Sequence, residues 1–323
     1  MTYRSKSHAL CVAASLALMT IAPASAFAAP AMQEREQASD GRDVNTTRQQ
    51  PGRLQNREQR PQNNRRQQQA PAAPTPEAIQ AEAQSILTAN NIACQLTNSS
   101  LHGETPDKQK LFEVTCANDF GYLLLTPTET LPGTNITCIE ISATQARALA
   151  ANPEAVVGPK CTLPGNDQFL PVLARYGTEA GLACTVNEGN IIGRKGDFPV
   201  YELGCDGADG ARVNRTASGW ELSTCLELVS ANVACSYTTK EEQNATVKTW
   251  FAGSDAAACD VAEVRYMGAN ANGSFYEAKC NGTEGIIARL DNAKAVQQVY
   301  PCAEAAQIGG GCKLTEAAPE ARS

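Results

Sequence analysis

The chain has 323 residues, a net charge of −7, 13 cysteines and two histidines. An acidic balance of this kind works against nucleic-acid binding. The absence of paired Cys-x-x-Cys knuckles makes disulfides a better reading of the cysteines than zinc, and after the N-terminal segment no run approaches the ~18 apolar residues of a spanning helix.

Residues 1–28 read as a secretory signal peptide. Arg4 and Lys6 form a basic start, Ala9 to Ile21 an apolar stretch, and Ala24-Ser25-Ala26 a small-residue cleavage site, with cleavage after Ala28 equally compatible. Cys11 sits inside the apolar stretch behind His8-Ala9-Leu10, which is not a lipid-attachment pattern. Removing the signal leaves twelve cysteines, an even count that predicts a disulfide framework in a periplasmic or secreted protein.

Residues 29–75 form an Arg/Gln/Pro-rich linker. From Pro30 to Pro74 there are eight Arg, no Lys and five acids, a net of +3, with hardly any large apolar side chain. Such a stretch cannot bury enough surface to offset its ordering entropy and is expected to be disordered. Arg48 to Arg66 hold six arginines, a pattern suited to an anionic surface or wall polymer. Composition alone favours a plain solvated spacer. The remaining residues, 76–323, carry 17 Lys plus Arg against 29 Asp plus Glu, a net of −12.

The twelve cysteines fall into three sets of four: Cys94, Cys116, Cys138, Cys161; Cys184, Cys205, Cys225, Cys235; Cys259, Cys280, Cys302, Cys312. The first gap is 22, 21 and 21 residues and the second 22, 20 and 22, whereas the last is 23, 10 and 10. Each second cysteine closes an aromatic–Glu–x–x–Cys motif: Phe112-Glu113, Tyr201-Glu202, Tyr276-Glu277. Glycines recur nine residues after each first cysteine (Gly103, Gly193, Gly268) and five after each second (Gly121, Gly210, Gly285). A glutamate follows each third cysteine by two: Glu140, Glu227, Glu304. These coincidences predict three tandem repeats, over residues 76–165, 166–238 and 239–316, with 317–323 as a disordered tail.

Within each repeat the expected order is a helix, then an antiparallel β-meander of about three strands. Thr75-Pro76-Glu77 starts the first helix, with Ile79, Ala83, Ile86 and Leu87 as its apolar stripe. Phe169 to Tyr176, entered at Pro171, forms a short second helix. Thr239 with Glu242 is a capping box for the third. Ala143 to Val157 reads as a helical insertion in the first repeat, with Pro153 inside it. The fold class is therefore α+β in three disulfide-stapled repeats. Folding each hairpin about its midpoint sets Cys94 opposite Cys116 and Leu96 opposite Val114, with the same relation for Cys184/Cys205, Val186/Leu203, Cys259/Cys280 and Val261/Ala278. The expected bridges are thus first to second and third to fourth in every set. Repeats of ~75 residues are marginal alone, and a bridge closing ~20 residues contributes roughly 3 kcal/mol.

The catalytic inventory is thin: no catalytic, cofactor-binding or metal-ligating residue is assigned, and no cofactor is expected. His102 aligns with Ile192 and Met267 and reads as structural. Without a second mature histidine or a free cysteine, a nucleophile–histidine arrangement lacks its parts. The recurring glutamates are the one polar chemistry in register. Glu113, Glu202 and Glu277 alternate with inward residues, so they are expected on an exposed sheet face, where replacement by Gln changes stability by no more than about 0.5 kcal/mol. Glu140, Glu227 and Glu304 are expected to cap a following helical turn. Read functionally, such carboxylates would serve hydrolysis or calcium.

Three functional classes follow. The leading one is an exported, non-enzymatic cell-envelope protein that binds or spaces a protein or cell-wall polymer. The second is a secreted inhibitor of a periplasmic or extracellular enzyme, presenting the dissimilar hairpin tips Thr105 to Lys110, Arg194 to Asp197 and Ala269 to Asn272. In layout alone, helix, disulfide and antiparallel strands duplicated at ~75 residues, the chain is similar to the tandem-repeat secreted inhibitors of β-lactamases, which implies that second class. The third is a carboxylate-dependent hydrolase.

Overall fold

A computed structural model describes residues 73–315. The signal peptide with Cys11, nearly all of the Arg-rich linker and the C-terminal tail lie outside the described residues. Among the described residues no helix is long and apolar enough to cross a membrane.

The chain builds three four-stranded antiparallel sheets, each preceded by a helix. Helix α1 (Pro76–Ala89) leads to β1 (Leu96–Glu104), β2 (Lys110–Cys116), β3 (Tyr122–Leu125) and β4 (Thr134–Thr137), and α2 (Cys138–Ala151) follows. Helix α3 (Leu170–Glu179) leads to β5 (Val186–Lys195), β6 (Phe198–Cys205), β7 (Ala208–Thr216) and β8 (Gly219–Thr224), followed by α4 (Cys225–Ser230). Helix α5 (Lys240–Phe251) leads to β9 (Val261–Asn270), β10 (Gly273–Cys280), β11 (Ile286–Leu290) and β12 (Val296–Pro301). Every sheet runs in sequence order, each strand pairing with its successor. The meander has four strands rather than three, because the segment ahead of each third cysteine also joins the sheet.

Helix starts follow local capping chemistry. Thr75 accepts a hydrogen bond from the Ala78 N–H with Pro76 in the first turn, and Thr239 forms a full capping box with Glu242. The helix after the first sheet begins at Cys138, not Ala143, since Thr137 and Glu140 make a capping box there. It ends at Ala151, ahead of Pro153, because a proline disfavours helical geometry in the residue before it.

Six disulfides close the framework: Cys94–Cys116, Cys138–Cys161, Cys184–Cys205, Cys225–Cys235, Cys259–Cys280 and Cys302–Cys312. The register between first and second strands differs from the one in which cysteines face each other. Leu96 lies opposite Cys116, Val186 opposite Cys205 and Val261 opposite Cys280. Further on, Ser99 faces Val114, Gly189 faces Leu203 and Val264 faces Ala278. The chain turns later than the midpoint between the cysteines, with Glu104 opposite Lys110, Lys195 opposite Phe198 and Asn270 opposite Gly273, and two register shifts in each hairpin, which add residues to the first strand only, take back part of that offset. The first bridge of each set therefore ties the second strand to the chain just ahead of the first.

One face of each sheet packs under its helix. Phe112, Val114 and Leu124 meet Ala83 and Leu87; Tyr201, Leu203 and Val213 meet Leu173 and Tyr176; Tyr276, Ala278 and Leu290 meet Val247 and Phe251. The cores are also chained in sequence order. Phe120, with Ile139 and Ala143 of α2, belongs to the second core, and Leu226 of α4 belongs to the third. Ile139 and Leu226 each follow a third cysteine. The corresponding Ala303 is exposed, and among the described residues no helix follows it.

Candidate functional site

The three mid-strand glutamates are not exposed. Glu113, Glu202 and Glu277 are each 0 % accessible, which corrects the expectation that they face solvent. They do point away from the helix-side core, as strand alternation requires. What alternation could not show is that the chain following each fourth cysteine crosses that second face as a strap.

Each carboxylate holds its strap by two consecutive backbone N–H groups. Thr162 and Leu163 donate to Glu113 Oε1, both at 2.7 Å. Ser236 donates to Glu202 Oε1, as does Tyr237 at 3.0 Å. Lys313 and Leu314 donate to Glu277 Oε1, both at 2.6 Å. The donors are always the first and second residues after the fourth cysteine, so the second disulfide of each set delivers them. Asn166 Nδ2 adds a bond to Glu113 Oε1 at 2.8 Å, and Thr162 Oγ1 one to Oε2 at 3.0 Å.

A buried carboxylate also needs positive charge or further donors on its other oxygen. Here the three solutions differ. His102, at a bulge in β1, places Nε2 2.7 Å from Glu113 Oε2. Arg212 on β7, directly across the ladder from Glu202, donates through Nε to Oε2 at 3.0 Å. Arg265 on β9, directly across from Glu277, donates through Nε at 2.9 Å and through its terminal nitrogen. For Glu113 burial pushes the carboxyl up, and the bonds from Leu163, Asn166, His102 and Thr162 outweigh it, holding the group below its ordinary value.

The glycine five residues after each second cysteine is explained by the same strap. A Cβ on Gly121 would meet Asn166 Oδ1 at 2.0 Å, on Gly210 Thr238 Oγ1 at 2.4 Å, and on Gly285 Thr315 Oγ1 at 2.1 Å. The glycines leave room for a strap residue to lie against the sheet.

Glu140 and Glu227 do cap helices, closing boxes with Thr137 and Thr224. Glu304 does not. Pro301 stands where the others have Thr, and Glu284 Oε1 instead accepts the Ala303 N–H at 2.7 Å. The twelve cysteine sulfurs are all consumed in bridges. Glu113 lies within reach of Cys138 and Cys161, and Glu277 of Cys302 and Cys312, but sulfurs bonded to each other offer no thiolate to a metal. Sequence alignment missed Arg212 and Arg265 because they occupy non-equivalent positions. The signal available was cross-strand placement opposite a glutamate, legible for Arg212 through the tight Asp206-Gly207 turn.

The carboxylates thus act as structural clamps. Glu113 accepts five hydrogen bonds, Glu202 three and Glu277 four, and in each case two of them come from adjacent strap amides. No family model, curated protein or solved structure matches the chain.

Proposed function

We propose that this chain is an exported, non-enzymatic cell-envelope protein built from three tandem copies of one disulfide-stapled module, which binds or spaces another component of the envelope. The observation that carries the reading is the use of Glu113, Glu202 and Glu277: the recurring buried carboxylates are spent on holding the fold. Six disulfides support an oxidising, extracytoplasmic setting. The Arg-rich segment is the part we assign to an anionic surface, because the acidic body repels one. The test is capture from envelope extract by the mature chain with and without residues 30–74, beside hydrolase assays on ester, glycoside, peptide and phosphate substrates. The reading expects a captured envelope component, weakened by deleting the segment, and no turnover. Recovery of the chain only in the cytoplasm with reduced cysteines, or turnover in any assay, contradicts it.

One observation favours a second reading, inhibition of an extracytoplasmic enzyme. The tips Arg194 to Asp197 and Ala269 to Asn272 are exposed and chemically unlike one another, which suits loop-borne specificity. Exchanging those two tips should then abolish inhibition of a captured enzyme without changing the melting temperature.

A further inference from the structure

On the face that carries the clamped glutamate, the first sheet differs from its sisters in a way the repeat does not explain. The ladder places Leu123 and Leu125 of β3 on that face, opposite Glu113 and Leu111. The same register positions hold Arg212 and Asn214 in the second sheet, and Ile287 and Arg289 in the third. On the fourth strand Ile136 stands across from Leu123, where the second sheet has Ser223 across from Arg212. The first sheet therefore has an apolar second face where the second sheet has a polar one, and Ile136 is left 45 % exposed on it.

The insertion peculiar to the first repeat walls this face in. Its third and fourth cysteines are 23 residues apart, against 10 in both other sets, and the extra chain lengthens α2 and returns as residues 152–160. Gln145 Nε2 donates to the Gly158 and Pro159 carbonyl oxygens at 2.9 and 3.1 Å, which ties the return to the helix. Between Leu111, Leu123, Leu125 and Ile136 of the sheet, Ile141 of α2 and Pro159 lies a cleft of about 350 Å³. Small-molecule sites span ~300–1,000 Å³ and are mostly apolar, with a few polar groups that fix orientation.

A second cavity of about 360 Å³ continues from the first, with Ile136, Glu140 and Thr144 lining both. Arg147 of α2 and Arg194 of β5 line it as well. Arg194 is paired with Glu140, whose other oxygen is held by Thr137. Arg147 donates to Thr144 Oγ1 at 3.3 Å and enters no ion pair among the described residues. The groove thus joins an apolar wall to a guanidinium without an anion. That polarity is local, because residues 76–323 carry 17 Lys plus Arg against 29 Asp plus Glu and as a whole favour cations.

We propose that this groove binds a long-chain fatty acid, its hydrocarbon chain lying on Leu111, Leu123, Leu125 and Ile136 and its carboxylate paired with Arg147. A guanidinium matches a carboxylate in shape and holds it by two parallel N–H bonds. Each methylene taken fully out of water tightens binding about fourfold. The insertion supplies both Arg147 and the wall around Pro159, so one departure from the repeat accounts for both ends of the site. The proposal goes beyond the envelope-binding role and does not depend on it: its test needs only the purified chain, and its failure leaves the capture experiment untouched.

The test is calorimetric titration of the mature disulfide-bonded chain with octanoate, decanoate and laurate, and with dodecyltrimethylammonium, which matches laurate in chain length and carries the opposite charge. Laurate should bind saturably, at least about tenfold more tightly than octanoate and than the cation, with decanoate between. Ile136→Ser installs the second sheet's residue at an exposed position, and Arg147→Gln removes the charge from an exposed one. Each should weaken laurate about fivefold or more and leave the melting temperature of the free chain unchanged. Should either variant lower that temperature, the other carries the comparison. Absence of saturable laurate binding up to about 1 mM, binding of the cation as tight as that of laurate, or laurate affinity undiminished in both variants overturns the proposal.

Discussion

Leu163 lies 50 residues beyond Glu113, yet its backbone N–H donates to the Glu113 carboxylate at 2.7 Å. The distance along the chain is bridged by Cys138–Cys161, which sets the strap over the sheet, and the carboxylate then fixes it by two adjacent amides. Disulfide and glutamate are two halves of one device: the bridge limits where the strap goes in the unfolded chain, and the carboxylate satisfies the strap's amides in the folded one.

Substituting Gln at 113, 202 or 277 should therefore be costly. A Gln amide retains one acceptor oxygen but turns an NH2 toward donors, and for Glu202 or Glu277 it strands the guanidinium of Arg212 or Arg265. Breaking a buried charged pair in this way costs about 3–5 kcal/mol. Urea unfolding of Glu202→Gln should show a loss of that size with all six bridges intact. A loss within about 0.5 kcal/mol would restore the exposed-surface expectation.

Gly121→Ala tests the close approach of strap to sheet. The new Cβ would sit 2.0 Å from Asn166 Oδ1 and 2.5 Å from the Val114 carbonyl oxygen, so backbone as well as side chain must move. Overpacking of this kind costs about 1–3 kcal/mol. The melting temperature should fall, and pairing Gly121→Ala with Asn166→Ala should recover part of the loss, because the nearer obstacle is then gone.

Two buried acids should give the stability profile opposite slopes in different pH windows. Glu113 is held below its ordinary value, so its stabilisation is complete above the unfolded value of ~4.3 and is lost as pH falls through the lower folded one. Asp209 is raised to about 7, so the folded state holds its proton more tightly; that stabilisation is present below the unfolded value and is lost as pH rises through about 7. Urea midpoints followed across pH should show Glu113→Gln flattening the acid limb and Asp209→Asn flattening the neutral one. Identical profiles for Asp209→Asn and the parent would contradict the second assignment.

The helix starts, the mixed helical and antiparallel class and the hairpin directions were legible because they rest on local chemistry: Thr75, Thr239 and the turn residues act on neighbours a few positions away. Register was less so. Facing cysteines follow from a turn at the midpoint, but the first hairpin turns later, between Glu104 and Lys110, and the two bulges that then carry Leu96 opposite Cys116 leave no compositional mark. The role of the glutamates was hidden for a different reason. Strand alternation places Glu113 on the second face, but only tertiary structure says that a strap covers that face, and the side chains that meet the second carboxylate oxygens, His102, Arg212 and Arg265, sit at three unrelated positions of the cysteine alignment. The glycines Gly121, Gly210 and Gly285 were visible as coincidences, and they acquire a reason only beside Asn166, Thr238 and Thr315.

Amide hydrogen exchange at six backbone positions tests the clamp most directly. Thr162, Leu163, Ser236, Tyr237, Lys313 and Leu314 lie outside helices and strands, where amides ordinarily exchange fast unless bonded. In the oxidised protein at neutral pH they should be protected to the level of the strand amides around Val114, Leu203 and Ala278, and Glu202→Gln should release Ser236 and Tyr237 while leaving the other four protected. Exchange of all six at free-loop rates in the parent chain would contradict the clamp and, with it, the structural use of the three carboxylates.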